Sequence, residues 1–269
     1  MINADFHMHS DFSEDSNTPM ESQILAAISK QLTSICLTEH LDFDFPKNPD
    51  NAKFMLDTDS YQKTLFELKN KYADKINILF GVELGLQPHL HDKLCEYTSK
   101  YNFDFIIGST HVCDGYDVYY PDFFNGKTDR EAYERYFSIS IKNIDAFDDF
   151  DVYGHIDYIT RYGKNKDKYF SYSDYSDYID VILNKLINSG KGIEINTGAF
   201  KSGLSHPNPD TDILRRYREL GGEIITVGAD AHTPEYVASH FKDAEEILKN
   251  AGFKYYSIFH QRKPQFVKF

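Results

Sequence analysis

The chain has 269 residues, and its 29 basic and 42 acidic side chains give a net charge of −13 at pH 7. The acidic balance argues against a nucleic-acid or anionic-membrane partner, since both require clustered Lys and Arg. Three widely spaced cysteines, Cys36, Cys95 and Cys113, argue against a disulfide framework and for a reducing compartment. Without a signal-like N-terminus or a long apolar run, we expect a soluble cytoplasmic protein.

Short apolar runs alternate with amphipathic stretches along the whole chain, a pattern typical of parallel βα units. Strands are predicted near 2–6, 34–38, 77–84, 103–109, 151–155, 192–196, 223–228 and 255–259. No linker interrupts the alternation. We therefore predict one α/β domain spanning 1–269, with seven or eight units closed into a barrel, and an open doubly wound sheet is the alternative.

Helix signals fall between these strands. The run Thr18-Pro19-Met20-Glu21 predicts a helix start with Thr18 as N-cap and Glu21 completing a capping box. Periodic apolar residues, among them Leu65 and Leu68, mark a second helix. Further helices are predicted over 128–146, 174–188 and 209–220.

Potential metal ligands occur at the predicted strand ends. In a parallel barrel the C-terminal ends of the strands carry the functional residues. At or just past the first seven ends lie His7 and His9, Glu39 and His40, Glu83, His111, His155, Glu194 and Asn196, and Asp230 and His232. Every one of these strands therefore ends at or near a side chain that can bind a metal.

Two of these ends carry ligands at a spacing of two residues. His7 and His9 close the first strand, where i and i+2 side chains point to the same face and can share one ion. Asp230 and His232 repeat this spacing after the seventh strand, and Gly228 before them permits close backbone approach. Both pairs are therefore candidate metal ligands.

Glu83 lies within an apolar strand, where an ionised carboxylate is costly unless it is paired or bound to metal. A second His-x-His pair, His89 and His91, falls at a helix start, and we expect it to be a solvated surface pair. Imidazole and carboxylate ligands without thiolate suit Zn, Mn or Fe. Their number exceeds the needs of one ion, so we predict two or three divalent metal ions.

The strand-end motifs resemble those of the polymerase-and-histidinol-phosphatase (PHP) superfamily over nearly the whole chain. They are His7-Met8-His9-Ser10, Glu39-His40, Gly81-Val82-Glu83, Gly108-Ser109-Thr110-His111, Gly154-His155-Ile156-Asp157 and Gly228-Ala229-Asp230-Ala231-His232. Segments 105–111, 154–158 and 194–198 are similar to the histidinol-phosphatase branch. The resemblance implies a distorted (β/α)7 TIM-like barrel and hydrolysis of L-histidinol phosphate to L-histidinol and phosphate in histidine biosynthesis.

The resemblance also implies a trinuclear site, with Glu83 shared between two ions. The three ligand sets are His7, His9, Glu83 and Asp230; Asp15, His40 and His232; and Glu83, His111 and His155. Asp15 departs from superfamily branches that have a histidine in this loop, which leaves the identity of its metal open. An Asx-turn is the alternative role for Asp15.

For catalysis we expect a metal-activated water to attack the phosphoryl group. Asp230 or His232 would carry the proton to the leaving alkoxide, and Glu83 would bridge two ions. Arg161 is the first candidate for phosphate binding, because a planar guanidinium suits bidentate contact, and Lys201 is the second.

Three other functions remain open on the sequence alone. They are a PHP-type phosphoesterase acting on another small phosphomonoester, an amidohydrolase-like deaminase or lactonase, and a non-catalytic metal-binding module. Specificity would lie in loops 42–56, 114–128 and 199–208, and segment 114–128 forms either a lid or a packed surface loop. The oligomeric state is not indicated.

Overall fold

Seven parallel strands form the central sheet of the computed structural model, which describes residues 1–269. In spatial order they are β1 (Ala4–Asp5), β2 (Ser34–Leu41), β3 (Asn77–Gly85), β4 (Phe105–Ser109), β7 (Val152–Tyr153), β8 (Gly192–Asn196) and β9 (Ile225–Gly228). All six neighbouring pairs run parallel. The seven predicted strands are therefore confirmed, with β1 and β7 shorter than expected.

Backbone hydrogen bonds between the first and last strands close the sheet into a barrel. Phe6 N donates to Val227 O at 2.9 Å, and just beyond the strand ends Asp230 N donates to His7 O at 2.8 Å. A Cβ on Gly228 would lie 2.3 Å from the Cβ of His7, so this contact requires glycine. The predicted distorted (β/α)7 barrel is confirmed, and the open sheet is excluded.

Helices cover the outside of the barrel. They are α1 (Met20–Ser29), α2 (Thr58–Lys71), α3 (His91–Lys100), α4 (Asp129–Ala146), α5 (Ser176–Asn188), α6 (Gly198–Lys201), α7 (Thr211–Glu219) and α8 (Phe241–Asn250). Their apolar faces and the strands form one continuous core of 67 buried residues. No helix combines the length and the apolar character needed to span a bilayer.

The capping box predicted at Thr18 is wrong. Helix α1 begins at Met20 without a side-chain cap, and Thr18 Oγ1 donates instead to the carbonyl oxygen of His232 at 2.8 Å. Glu21 accepts hydrogen bonds from Lys71 and Tyr72. The Thr18 hydroxyl, which the local sequence predicts as a helix cap, therefore makes a tertiary contact instead. This contact holds the loop before α1 against the C-terminal end of the barrel.

Two antiparallel hairpins lie outside the barrel. The first is β5 (Val112–Cys113) with β6 (Tyr116–Asp117), and the second is β10 (Tyr255–His260) with β11 (Lys263–Lys268). The eighth predicted strand therefore forms, but an eighth βα unit is wrong. Gln261 and Arg262 both have positive φ, the conformation of a tight hairpin turn, so the chain reverses at once.

Burial within one helix gives a matched test of the core. Ile182 on α5 is fully buried, whereas its neighbour Val181 is 40% exposed. We expect Ile182→Ala to lower the free energy of unfolding by about 2–5 kcal/mol, through lost transfer energy and an unfilled cavity. Val181→Ala should change it by less than about 0.5 kcal/mol. Urea denaturation measures both, and equal losses would contradict this packing.

Candidate metal centre

The nine predicted ligands all meet at the C-terminal end of the barrel, joined to one another through short contacts. Glu83 lies at their centre on β3, between β2 and β4, with His40 as its register partner. Its oxygens lie 3.0 Å from His7, 3.5 Å from His9, 3.2 Å from His40, 3.2 Å from His111 and 2.9 Å from His155. One fully buried carboxylate thus faces five imidazoles.

Asp230 forms the second junction of the cluster. Its Oδ1 lies 3.5 Å from His9 Nε2, 3.8 Å from His7 Nε2 and 3.7 Å from His232 Nδ1. The backbone at Asp230 is left-handed, with φ of 54°, where the chain turns sharply past β9. This turn brings the carboxylate back over the end of the barrel, beside the ligands from β1.

Asp15 joins the cluster from the loop before α1. Its Oδ2 lies 3.0 Å from His232 Nε2 and 3.7 Å from His40 Nε2. The hydroxyls of Ser16 and Thr18 both donate to the carbonyl oxygen of His232, which holds this loop against the β9 loop. The carboxylate therefore has a position suited to a ligand, as the resemblance implies.

The donor atoms fit divalent metal ions. Two ligands bound at about 2.0–2.1 Å in tetrahedral geometry lie about 3.3 Å apart, which is close to the distances around Glu83 and Asp230. Buried nitrogens on His9, His40 and His111 have no hydrogen-bond partner, an arrangement that is costly unless an ion occupies the space between them. Groups such as His9, His40 and His232 offer three ligand atoms within 4.8 Å of one another.

Buried polar groups hold the outward nitrogens of these histidines. His7 Nδ1 lies 2.8 Å from Glu194 Oε2, and His111 Nδ1 lies 2.8 Å from Asp42 Oδ1. Such contacts fix ring orientation and raise ligand basicity in metal sites. Glu194 was predicted at a strand end but not as a residue of the site. The sequence signal that could have identified it is an ionisable side chain within the apolar run of β8.

A similar support holds His9. Its Nδ1 lies 3.2 Å from Ser13 Oγ, which donates to Glu39 Oε2 at 2.5 Å. Glu39 also accepts from the backbone and hydroxyl of Ser10. The carboxylate of Glu39 therefore faces away from the ligands and organises the loop that carries Asp15.

The carboxylates of the cluster retain their charge. Burial would raise the pKa of Glu83, but His7, His40 and His111 bring it well below its usual value. For Asp230 the effect of burial is likewise exceeded, by His7, His9 and Arg161, and its pKa is also well lowered. Both groups are therefore ionised at neutral pH, which metal binding requires.

Arg161 lies beside the cluster and is 7% exposed. Its Nε donates to Asn208 Oδ1 at 2.7 Å, one terminal nitrogen to Asn196 Oδ1 at 2.9 Å and the other to Asp230 Oδ2 at 3.0 Å. The guanidinium also lies over the ring of Tyr158, 4.9 Å from its centre. The structure thus brings this predicted phosphate-binding residue into direct contact with a ligand.

A cavity of about 580 Å³ opens above the cluster, lined by residues of all three loops that were expected to set specificity. Lys201 lies at its exposed side, with Nζ 4.5 Å from the Tyr236 ring centre, and contacts none of the ligands. His89 and His91 are exposed outside the cavity, where they contact Asp44 and a backbone carbonyl. The prediction of a surface pair is confirmed.

A closed βα barrel with clustered imidazoles and carboxylates at its strand ends defines a metal-dependent hydrolase. The PHP domain profile matches residues 5–198, and the chain belongs to the PHP domain family. The histidinol-phosphatase of Lactococcus lactis is 31% identical over 254 residues, covering 94% of this chain and 93% of the relative. A probable histidinol-phosphatase of Clostridium acetobutylicum is 34% identical, covering 93% and 94%.

One solved structure extends the similarity to three dimensions. The crystal structure of the Lactococcus lactis histidinol phosphate phosphatase, complexed with zinc, L-histidinol and phosphate, has a TM-score of 0.89 to this chain. Its sequence is 30% identical, and the alignment covers 98% of both chains. The fold of this chain thus agrees with that of a histidinol phosphate phosphatase.

A pair of histidine substitutions tests the metal centre. Ions that bind only the folded state should stabilise it by about 2.7 kcal/mol at one hundred times their Kd. We expect Zn²⁺ or Mn²⁺ to raise the Tm of the metal-depleted protein, and His9→Gln to weaken this rise and reduce the bound metal per chain. His89→Gln is the surface control. Calorimetry and metal analysis measure these effects, and the same metal content in both variants would contradict the assignment.

Proposed function

We propose that this chain hydrolyses L-histidinol phosphate to L-histidinol and inorganic phosphate in histidine biosynthesis, using two or three divalent metal ions. The central observation is the cluster around Glu83 at the floor of a cavity of about 580 Å³. Relatives with at least 30% identity over nearly the whole chain support the same reaction. The substrate is a small phosphomonoester that enters from the open side of the cavity.

The nine ligands would hold the ions, with Glu83 belonging to two of the three ligand sets that the resemblance implies. Bound divalent ions supply Lewis acidity, which withdraws charge from phosphoryl oxygens and makes water a better nucleophile near neutral pH. The Glu83 carboxylate keeps the surrounding imidazoles close together. Glu194 holds the ring of His7 in the required orientation, and Asp42 holds that of His111. The chain thus contributes a rigid arrangement of donors.

Arg161 binds the phosphoryl group in this proposal. Its guanidinium has five N–H donors, and its contacts to Asn208, Asn196 and Asp230 use three of them. The remaining two are available to phosphoryl oxygens in the cavity, which Arg161 lines. Lys201 adds positive charge at the exposed side, where it attracts the dianionic ester.

Asp230 and His232 are the proposed proton carriers to the leaving alkoxide. Asp230 is ionised, so it first takes up the proton that the attacking water loses and then passes it to the leaving oxygen. Both line the cavity, and Asp230 contacts Arg161 directly, so these two side chains lie beside the proposed phosphoryl site. His232 is held by Asp15 and by the backbone carbonyl of Asp230. This arrangement keeps its ring in place while the ester bond breaks.

Phosphate release is the direct assay of this function. The purified protein should release inorganic phosphate from L-histidinol phosphate faster than from 4-nitrophenyl phosphate. Chelation should abolish the release, and added Zn²⁺ or Mn²⁺ should restore it. Turnover of 4-nitrophenyl phosphate alone would agree with a catalytic metal site but would exclude L-histidinol phosphate as the substrate. No release from a protein with confirmed metal would instead support the deaminase, lactonase or binding-module alternatives.

A second variant pair tests Arg161. Lysine keeps the charge but loses the planar fork that contacts Asn208, Asn196 and Asp230 together. A hydrogen bond to a charged group contributes about 1.5–3 kcal/mol, so Arg161→Lys should lower kcat/KM by about 10-fold to 100-fold. Arg216→Lys, at a helix surface ion pair with Asp180, should leave it unchanged. Steady-state kinetics checks both, and equal activities would remove Arg161 from the phosphate site.

A further inference from the structure

The side chains of Asn208 and Asn196 hold Arg161 through their amide oxygens. Asn208 Oδ1 accepts from Arg161 Nε at 2.7 Å, and Asn196 Oδ1 accepts from a terminal nitrogen at 2.9 Å. A half-turn of either amide would present its NH2 group instead, and this group would face the N–H donors of the guanidinium without an acceptor between them. The position of Arg161 therefore depends on what fixes the two amides.

The amide of Asn196 is fixed by groups that belong to the metal centre. Its Nδ2 donates to Glu194 Oε1 at 3.1 Å, and its Oδ1 also accepts from Gly198 N at 2.9 Å. Glu194 holds the ring of His7 as well. The orientation of Asn196 is therefore tied to that of the metal ligands.

The amide of Asn208 is fixed by Asp157, whose carboxylate has other partners than the metal ligands. Asn208 Nδ2 donates to Asp157 Oδ1 at 2.7 Å, and Asp210 N donates to Asp157 Oδ2 at 2.9 Å. Asp157 and Asn208 are both fully buried, so water cannot replace these contacts. Both partners of Asp157 can only donate, and its two oxygens must therefore both accept. The NH2 group of Asn208 is thus held by Asp157, and its oxygen faces Arg161.

Asp157 also begins the turn that carries Arg161. Its carbonyl oxygen accepts from Thr160 N at 2.9 Å and from the Thr160 hydroxyl at 2.8 Å, and these bonds close the turn that ends at Arg161. Asn208 lies on a different loop, where its backbone pairs with the last residue of β8. Asp157 therefore links the loop after β7 to the loop after β8, where the guanidinium crosses from one to the other.

We propose that Asp157 is a positioning residue, which acts through Asn208 to hold the Arg161 guanidinium against the phosphoryl site. This inference deepens the proposed function and rests on it. Arg161 contacts phosphoryl oxygens with the two N–H groups that the protein leaves free. Once the Asn208 oxygen no longer faces Nε, the guanidinium rotates and those two groups lose their alignment. The metal ligands keep their own contacts, so this change weakens phosphate binding without releasing metal.

The test compares Asp157→Asn with the wild type in the binding of inorganic phosphate to the metal-loaded protein, measured by calorimetry. An amide at position 157 has one acceptor for two donors, so Asn208 Nδ2 or Asp210 N loses its partner. We expect the Kd of phosphate to rise about tenfold and kcat/KM for L-histidinol phosphate to fall by about the same factor, with unchanged metal content. Asp104→Asn is the matched control and should leave both unchanged, because this buried carboxylate also accepts from two backbone N–H groups but lies at the opposite end of the barrel.

A double-mutant cycle tests whether Asp157 acts through Arg161. In an Arg161→Ala background, Asp157→Asn should change the Kd of phosphate by less than about twofold, because the group that Asp157 positions is absent. Asn208→Ala removes the same link at its other residue. It should weaken phosphate binding by a similar factor, again only when the guanidinium is present, and it carries the test if Asp157→Asn does not fold.

The outcomes separate this inference from the proposed function. A folded Asp157→Asn protein that binds phosphate as tightly as the wild type would overturn the inference. An equal loss with and without the Arg161 guanidinium would also overturn it, since Asp157 would then act only on the fold, through Asp210 N at the start of α7. A loss of bound metal in Asp157→Asn would overturn it in favour of a role in the metal centre. A wild type that does not hydrolyse L-histidinol phosphate would overturn the proposed function, and the phosphate affinities would still decide this inference.

Discussion

The structure depends on one requirement, that the buried carboxylate of Glu83 be surrounded by compensating groups. An ionised carboxylate in an apolar barrel is costly, and here five imidazoles and the hydroxyl of Ser109 lie around it. The five imidazoles lie at or just past the ends of β1, β2, β4 and β7, so these four strands must assemble around β3 for Glu83 to be satisfied. Metal ions bound between these groups would complete the compensation that the protein alone leaves partial.

The closure of the barrel also brings the last ligands of the site together. Gly228 allows β9 to approach β1 so closely that His7 and Asp230 share a backbone hydrogen bond and also face each other across the cluster. Behind the ligands, Glu194 and Asp42 restrain individual rings, and Glu39 restrains the loop with Asp15 through Ser10 and Ser13. Buried acids thus hold the geometry that the catalytic proposal requires.

The C-terminal hairpin packs against the opposite end of the barrel. The C-terminal hairpin places Arg262 against Asp151 at 2.6 Å and the backbone of Gln261 against Asp104 at 3.1 Å, just before β7 and β4 begin. Phe259 packs on Phe105 at 4.9 Å between ring centres. Stability at the N-terminal end and chemistry at the C-terminal end are thereby separated, as is usual for barrels of parallel strands.

Much of this protein follows from local sequence pattern. Alternating apolar runs indicate seven strands, and the His7, Glu83 and Asp230 motifs indicate the ligands, because strand ends converge in any parallel barrel and period-two spacing sets which side chains share a face. Local pattern misled at Thr18, whose hydroxyl binds a carbonyl of a distant loop, and at 255–259, where an immediate turn replaces a helix. The contacts of Arg161 with Asn208, Asn196 and Asp230 were decided only by tertiary structure. These features depend on which loops lie next to each other in space, and side-chain spacing along one strand carries no information about that.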